Sequence, residues 1–163
     1  MIRKTSFLII IFMLFITSLY SQNKTQEVLS KFIITDASTN GVDTTPTLLE
    51  AGAFTVFYTS GNDGLLYMAN VWPNSNSQSF GPMYSVTHEE SKETYESYEA
   101  DFFYFNWRYI NDYDNKKGTA KVQVIKIYKP QGVTFTVKII PENLDLIIYK
   151  GYLEGSLNFS AYD

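Results

Sequence analysis

Between Asp101 and Ile140 the chain runs through three apolar stretches separated by two polar joints that close on glycine. The stretches are 101–110, 119–128 and 133–140, each rich in the β-branched and aromatic residues that pack well on a pleated, half-buried surface. The joints Asp114–Gly118 and Lys129–Gly132 have the chemistry of turns ending on a residue of positive φ, where glycine meets no steric penalty. This pattern predicts a three-stranded antiparallel meander. Its first strand is apolar on both parities, with Phe103, Phe105, Trp107 and Tyr109 on one side and Phe102, Tyr104 and Ile110 on the other. Only Asn106 and Arg108 interrupt the second side, so the strand is central or lines a cavity. The third strand alternates, with Val133, Phe135, Val137 and Ile139 facing in. In the middle strand Ala120, Val122 and Val124 share one parity while Ile125 and Ile127 share the other, a phase change that predicts a β-bulge or strong bend.

The rest of the chain supplies partners for this meander. A strand is expected over 28–36, then a polar loop over 37–45. Thr45-Pro46 opening and Gly52 closing a short segment predict one or two helical turns. Strands at 53–60 and 65–72 flank the hairpin turn Gly61-Asn62-Asp63-Gly64, and a weaker strand at 79–86 follows a polar loop at 73–78. The segment 87–100, dense in Glu and Ser, reads equally as a short helix or a solvated loop. Two last strands, 144–149 and 152–159, are separated by Gly151. The expected fold is therefore all-β: an antiparallel up-and-down barrel or a two-sheet sandwich of about eight or nine strands, with one or two short helical turns.

The first 21 residues change the picture of where this domain works. Arg3 and Lys4 precede an apolar run from Phe7 to Leu19, and a small residue follows at Ser21. That is the pattern of a signal peptide, too short to span a bilayer comfortably. The expectation is a signal peptide at 1–21 and a single β domain at 22–163, exported to a periplasmic, cell-surface or extracellular site. The chain has no cysteine, so neither a disulfide framework nor thiolate chemistry is available. The formal charge is −4, and it becomes about −6 when Arg3 and Lys4 leave with the leader. Such a balance speaks against nucleic acid as a partner, and no transmembrane span is expected in the mature chain.

Candidate chemistry is sparse. His88 is the only histidine, stands beside Glu89 and Glu90, and has no nucleophile elbow to serve. Asn111 to Asn115 faintly matches a calcium loop, but Lys116 occupies a ligand position and no closing Glu follows, so turn formation explains these residues. No catalytic residue, metal ligand or cofactor is assigned. The aromatic share of 17% is the unusual feature. Tyrosine combines an apolar body with a hydroxyl and is common at wet binding surfaces and cavity mouths. Tyr67, Trp72, Tyr104, Asn106, Trp107, Arg108 and Tyr109 are the expected ligand-binding residues. The leading expectation is a non-enzymatic exported barrel that binds a small, partly apolar or amphipathic ligand in an aromatic-lined interior. A cell-envelope module binding a protein or glycan through exposed aromatics and loops is the second reading, and a hydrolase using carboxylates from 89–114 the third. The expected architecture is similar to lipocalin-like barrels in fold alone, without their Gly-x-Trp pattern near the N-terminus.

Overall fold

Among the described residues the alternating runs form ten strands: β1 (Gln26–Thr39), β2 (Val42–Asp43), β3 (Phe54–Ser60), β4 (Leu66–Trp72), β5 (Ser77–Glu89), β6 (Thr94–Tyr95), β7 (Tyr98–Asn111), β8 (Lys117–Lys129), β9 (Gly132–Pro141) and β10 (Ile147–Gly155). One helix, α1 (Thr45–Glu50), and two 3-10 turns, Pro73–Ser75 and Phe159–Tyr162, accompany them among the described residues. It is a computed structural model that describes residues 26–61, 63–89, 94–143 and 145–162, with the side chains of 86–89 and 94 left aside. The expected leader lies outside the described residues.

Eight long strands pair antiparallel in the order β1-β3-β4-β5-β7-β8-β9-β10, and β10 returns to pair with β1. The sheet is thus a closed up-and-down barrel, with β2 and β6 as two-residue additions to β1 and β7. An eight-stranded barrel is just wide enough for its own side chains to fill. Here they do: Phe32, Phe57, Met68, Met83, Val124 and Val137 are among those at 1% exposure or less. Lys31, Lys121, Lys138 and Lys150 stand at alternate, outward positions of their strands. An apolar interior with charges outside reverses the arrangement of a barrel whose outer wall meets lipid.

The two ends of the barrel differ. At the end where β10 finishes, the last 3-10 turn drives Phe159 into the interior, 2% exposed. Its ring lies 5.2 Å from Phe57 edge-on and 5.4 Å from Phe103, with Phe105 and Phe135 at 6.2 Å each. The Leu157 amide anchors this segment by donating to the Ser30 hydroxyl at 3.0 Å. The opposite end carries α1, the 73–75 turn and the β7–β8 turn. There Leu48 of α1 packs on the core, and the Asn74 side chain donates to the Glu50 carbonyl at 2.6 Å.

Several details correct the sequence reading. The middle strand of the meander has no bulge: β8 pairs without a register shift to both β7 and β9. Its phase change has another cause. Ile125 and Ile127 point outward, and with Ala100 and Phe102 they form a second small core on the outer wall, against which Tyr95, Tyr98 and Tyr104 pack. The same cover explains why β7 is apolar on both faces. Real irregularities lie elsewhere, in β1 at Val28/Ser30 and Ile34/Asp36 and in β5 at Ser85/Thr87. Val133, expected inside, is 41% exposed at the start of β9. The segment 87–100 is neither helix nor plain loop where described: β5 runs on to Glu89, and β6 turns into β7 through Glu96 and Ser97, both left-handed at φ 51° and 69°. Glu96 then ties this flap down, its carboxylate 2.8 Å from the Lys150 amine and 3.8 Å from that of Lys129.

Two glycines also behave differently from expectation. In the Asp114–Gly118 turn the left-handed residue is Asn115, φ 55°. Gly118 is needed because a Cβ there would run into the ring of Tyr109, its cross-strand partner. Gly151 does not divide two strands. It sits within β10, where a Cβ would collide with the Ile33 carbonyl of β1.

Candidate functional site

Inward-facing positions near the α1 end give the barrel a small mouth of about 280 Å³. Trp72 closes β4, Trp107 and Tyr109 come from the last turns of β7's inner face, and Tyr149 stands on β10. Trp107 is 2% exposed and donates its indole N–H to the Gly81 carbonyl at 3.2 Å. Its ring stacks at a tilt of 32° on that of Tyr109, centroids 4.6 Å apart.

Polar groups meet at the same place. Asn70, 6% exposed, accepts a hydrogen bond at Oδ1 from the buried Thr55 hydroxyl at 2.8 Å. With its oxygen engaged, the side chain presents its N–H donors to the cavity, and they reach no acceptor among the described residues. Asn111 donates to the Ser79 hydroxyl at 3.0 Å and accepts from the Tyr113 amide at 2.9 Å, which closes one side of the mouth. Tyr149 is 3% exposed, and its hydroxyl has no hydrogen-bond partner among the described residues. Burial pushes its pKa up to about 12, so it is a neutral hydroxyl at any ordinary pH. On the rim, Lys116 and Asp114 neutralise one another at 2.9 Å.

Of the seven residues expected to bind a ligand, Trp72, Trp107 and Tyr109 converge here. Tyr67, Tyr104, Asn106 and Arg108 face the outer wall. Tyr67 and Arg108 line an open groove of about 580 Å³ with Tyr58, Phe80, Pro82 and Ile110, while Tyr104 and Asn106 line another of about 340 Å³. Tyr58 and Tyr67 lie with centroids 5.3 Å apart. The Tyr67 hydroxyl donates to Asp63 at 2.8 Å, and burial together with that bond raises its pKa to about 12. The Arg108 guanidinium sits 4.9 Å over the Tyr84 ring.

Asn70, Ser79 and Tyr149 were not singled out from sequence, and Asn111 entered only through the rejected calcium-loop match. Asn70 carried a signal that could have found it: a lone amide at the inward parity of an otherwise apolar strand, two residues from Met68 and from Trp72. Asp112 and Asp114 serve the turns. Asp112 accepts from the Gln78 amide at 2.7 Å and Asp114 from the Lys116 amide at 3.0 Å. Among the described residues no group of three or more His, Asp or Glu gathers as metal ligands would, and no helix is long and apolar enough to cross a membrane.

What fold and site define together is a closed eight-stranded up-and-down β-barrel, plugged at one end and indented by a polar-aromatic mouth at the other. No family model matches the chain, and neither the curated proteins nor the solved structures contain a match to it.

Proposed function

We propose that this protein is an exported, non-enzymatic barrel that binds a small, partly apolar molecule at the mouth framed by Trp72, Trp107, Tyr109 and Tyr149. The observation that carries the reading is the meeting of these four rings with two polar groups, the Asn70 amide and the Tyr149 hydroxyl, at one mouth of the barrel. The Tyr149 hydroxyl and the Asn70 N–H groups have no partner among the described residues, so a ligand oxygen or nitrogen in the mouth would pair with them. Phe159 and its neighbours fill the far end, so binding is confined to the mouth rather than a hollow interior. The leader pattern at 1–21 supports export.

Native mass spectrometry tests this on the mature domain purified from its own source without detergent. A reproducible adduct, absent from a folded Trp72→Ala variant, is the expected outcome. An adduct equally abundant in that variant would move the ligand elsewhere on the molecule.

The open groove on the outer wall favours a second reading, in which a glycan of the cell envelope stacks on the half-buried Tyr58 and Tyr67 rings that line it. Asp63 holds the Tyr67 ring beside Tyr58, a ready platform for the apolar face of a sugar. Retarded migration in polysaccharide-containing gels, abolished by Tyr67→Ala, is the result that would support it.

A further inference from the structure

We infer that the mouth selects a neutral planar ring bearing a carbonyl-type acceptor, and that Asn70 and Tyr149 read that acceptor. The inference rests on the mouth being the ligand site and adds the chemical class of its occupant.

Size sets the first limit. An apolar cavity of about 150 Å³ takes a benzene, and pockets for drug-sized molecules span about 300–1,000 Å³. A mouth of about 280 Å³ therefore suits one substituted ring. Shape sets the second. Two indoles and two phenols form the walls, and flat aromatic walls favour a flat guest through offset or edge-on ring contacts.

Polarity sets the third. The Thr55 hydroxyl already engages the Asn70 oxygen, while the Asn70 N–H groups have no partner among the described residues, so the unmet capacity of this amide is chiefly to donate. The Tyr149 hydroxyl, neutral and without a partner among the described residues, has its O–H free to donate as well. Two donors lining the same mouth suit an acceptor with two lone pairs, which a carbonyl oxygen has. Charge sets the last. Among the described residues the charged groups at the mouth are Lys116 and Asp114, which pair with one another, so these residues leave no uncompensated charge to take an ion out of water.

The test uses four probes of similar size: acetophenone, ethylbenzene, benzylamine and benzoate. Each is titrated into the mature domain, with binding followed by the indole N–H signals of Trp72 and Trp107 in protein NMR. Acetophenone should bind roughly tenfold more tightly than ethylbenzene, as two net hydrogen bonds would give. Tyr149→Phe, which removes only the hydroxyl, should cut that preference about fivefold while leaving ethylbenzene unaffected. If ethylbenzene matches acetophenone, the mouth is a site but its polar reading falls. Tightest binding by benzoate or benzylamine would overturn the neutral assignment. No response from either indole to any probe would instead remove the mouth as a ligand site. Should Tyr149→Phe not fold, Asn70→Asp in its ionised form replaces the donors with acceptors, and retained preference for acetophenone would then refute the inference.

Discussion

Thr55 and Asn70 stand opposite each other in the β3–β4 register, and a hydrogen bond of 2.8 Å joins them inside the barrel. Both are buried, at 1% and 6% exposure. Thr55→Val keeps the shape and deletes the donor. It should cost about 1–3 kcal/mol, because the Asn70 oxygen is left unpaired in an apolar setting, as measured by urea unfolding. A stability equal to wild type would mean that Asn70 finds another donor by turning over.

Phe159 is the plug of the closed end, touching rings from β3, β7 and β9. Phe159→Ala leaves a cavity among those rings and should destabilise the fold by about 3–5 kcal/mol. Ligand affinity at the mouth should be unchanged in conditions where the variant is folded. Calorimetry and the probe titration read the two effects separately.

Alkali should weaken the fold through buried phenols. Burial raises Tyr149 and Tyr58 to about 12 from an ordinary value of 10. Below pH 10 both states keep the proton and the full stability is present. Between about 10 and 12 the unfolded chain ionises first, so stability falls as pH rises. For Tyr149 the loss is on the order of 2 kcal/mol. Tyr149→Phe should flatten the decline in that window, with urea midpoints measured across it.

The Glu96 flap should respond to acid instead. Hydrogen bonding to Lys150 holds the Glu96 carboxyl below its usual value, with Lys129 adding to the effect. Its contribution is intact above the unfolded value and is lost as pH falls through the folded one. The pair is partly solvated, so Glu96→Gln should change global stability by less than about 1 kcal/mol. Local protection is the sensitive readout: amide exchange at Tyr98 and Ala100 should accelerate in Glu96→Gln at neutral pH. Exchange unchanged from wild type would show that Tyr95 on Phe102 suffices to hold the flap.

The meander was legible because Phe103, Phe105 and Trp107 alternate with residues of different character, and a strand's period of two leaves little choice of face. Closure of β1 on β10 was not, since pairing between residues so distant in sequence leaves no local pattern. Ile125 and Ile127 misled for a related reason. Apolar residues on both parities can mean a bend or a covered outer face, and only the position of Tyr95 decides between them. The mouth was half visible. Trp72, Trp107 and Tyr109 announce themselves by size, but Asn70 and Tyr149 matter through what does and does not reach them, which is a three-dimensional fact.

The pairing of β1 with β10 joins the first and last strands of the barrel, whereas every other long-strand pair lies along a hairpin or a short crossing. Hairpin contacts form with little loop entropy, and the terminal seam pays the most. Until it closes, the chain is an open sheet with two bare edges, each a template for another molecule. A seam closed last would make chain concentration during refolding, rather than denaturant or temperature, the variable that decides between barrel and aggregate. Refolding yield should then fall with concentration even where the finished barrel is fully stable.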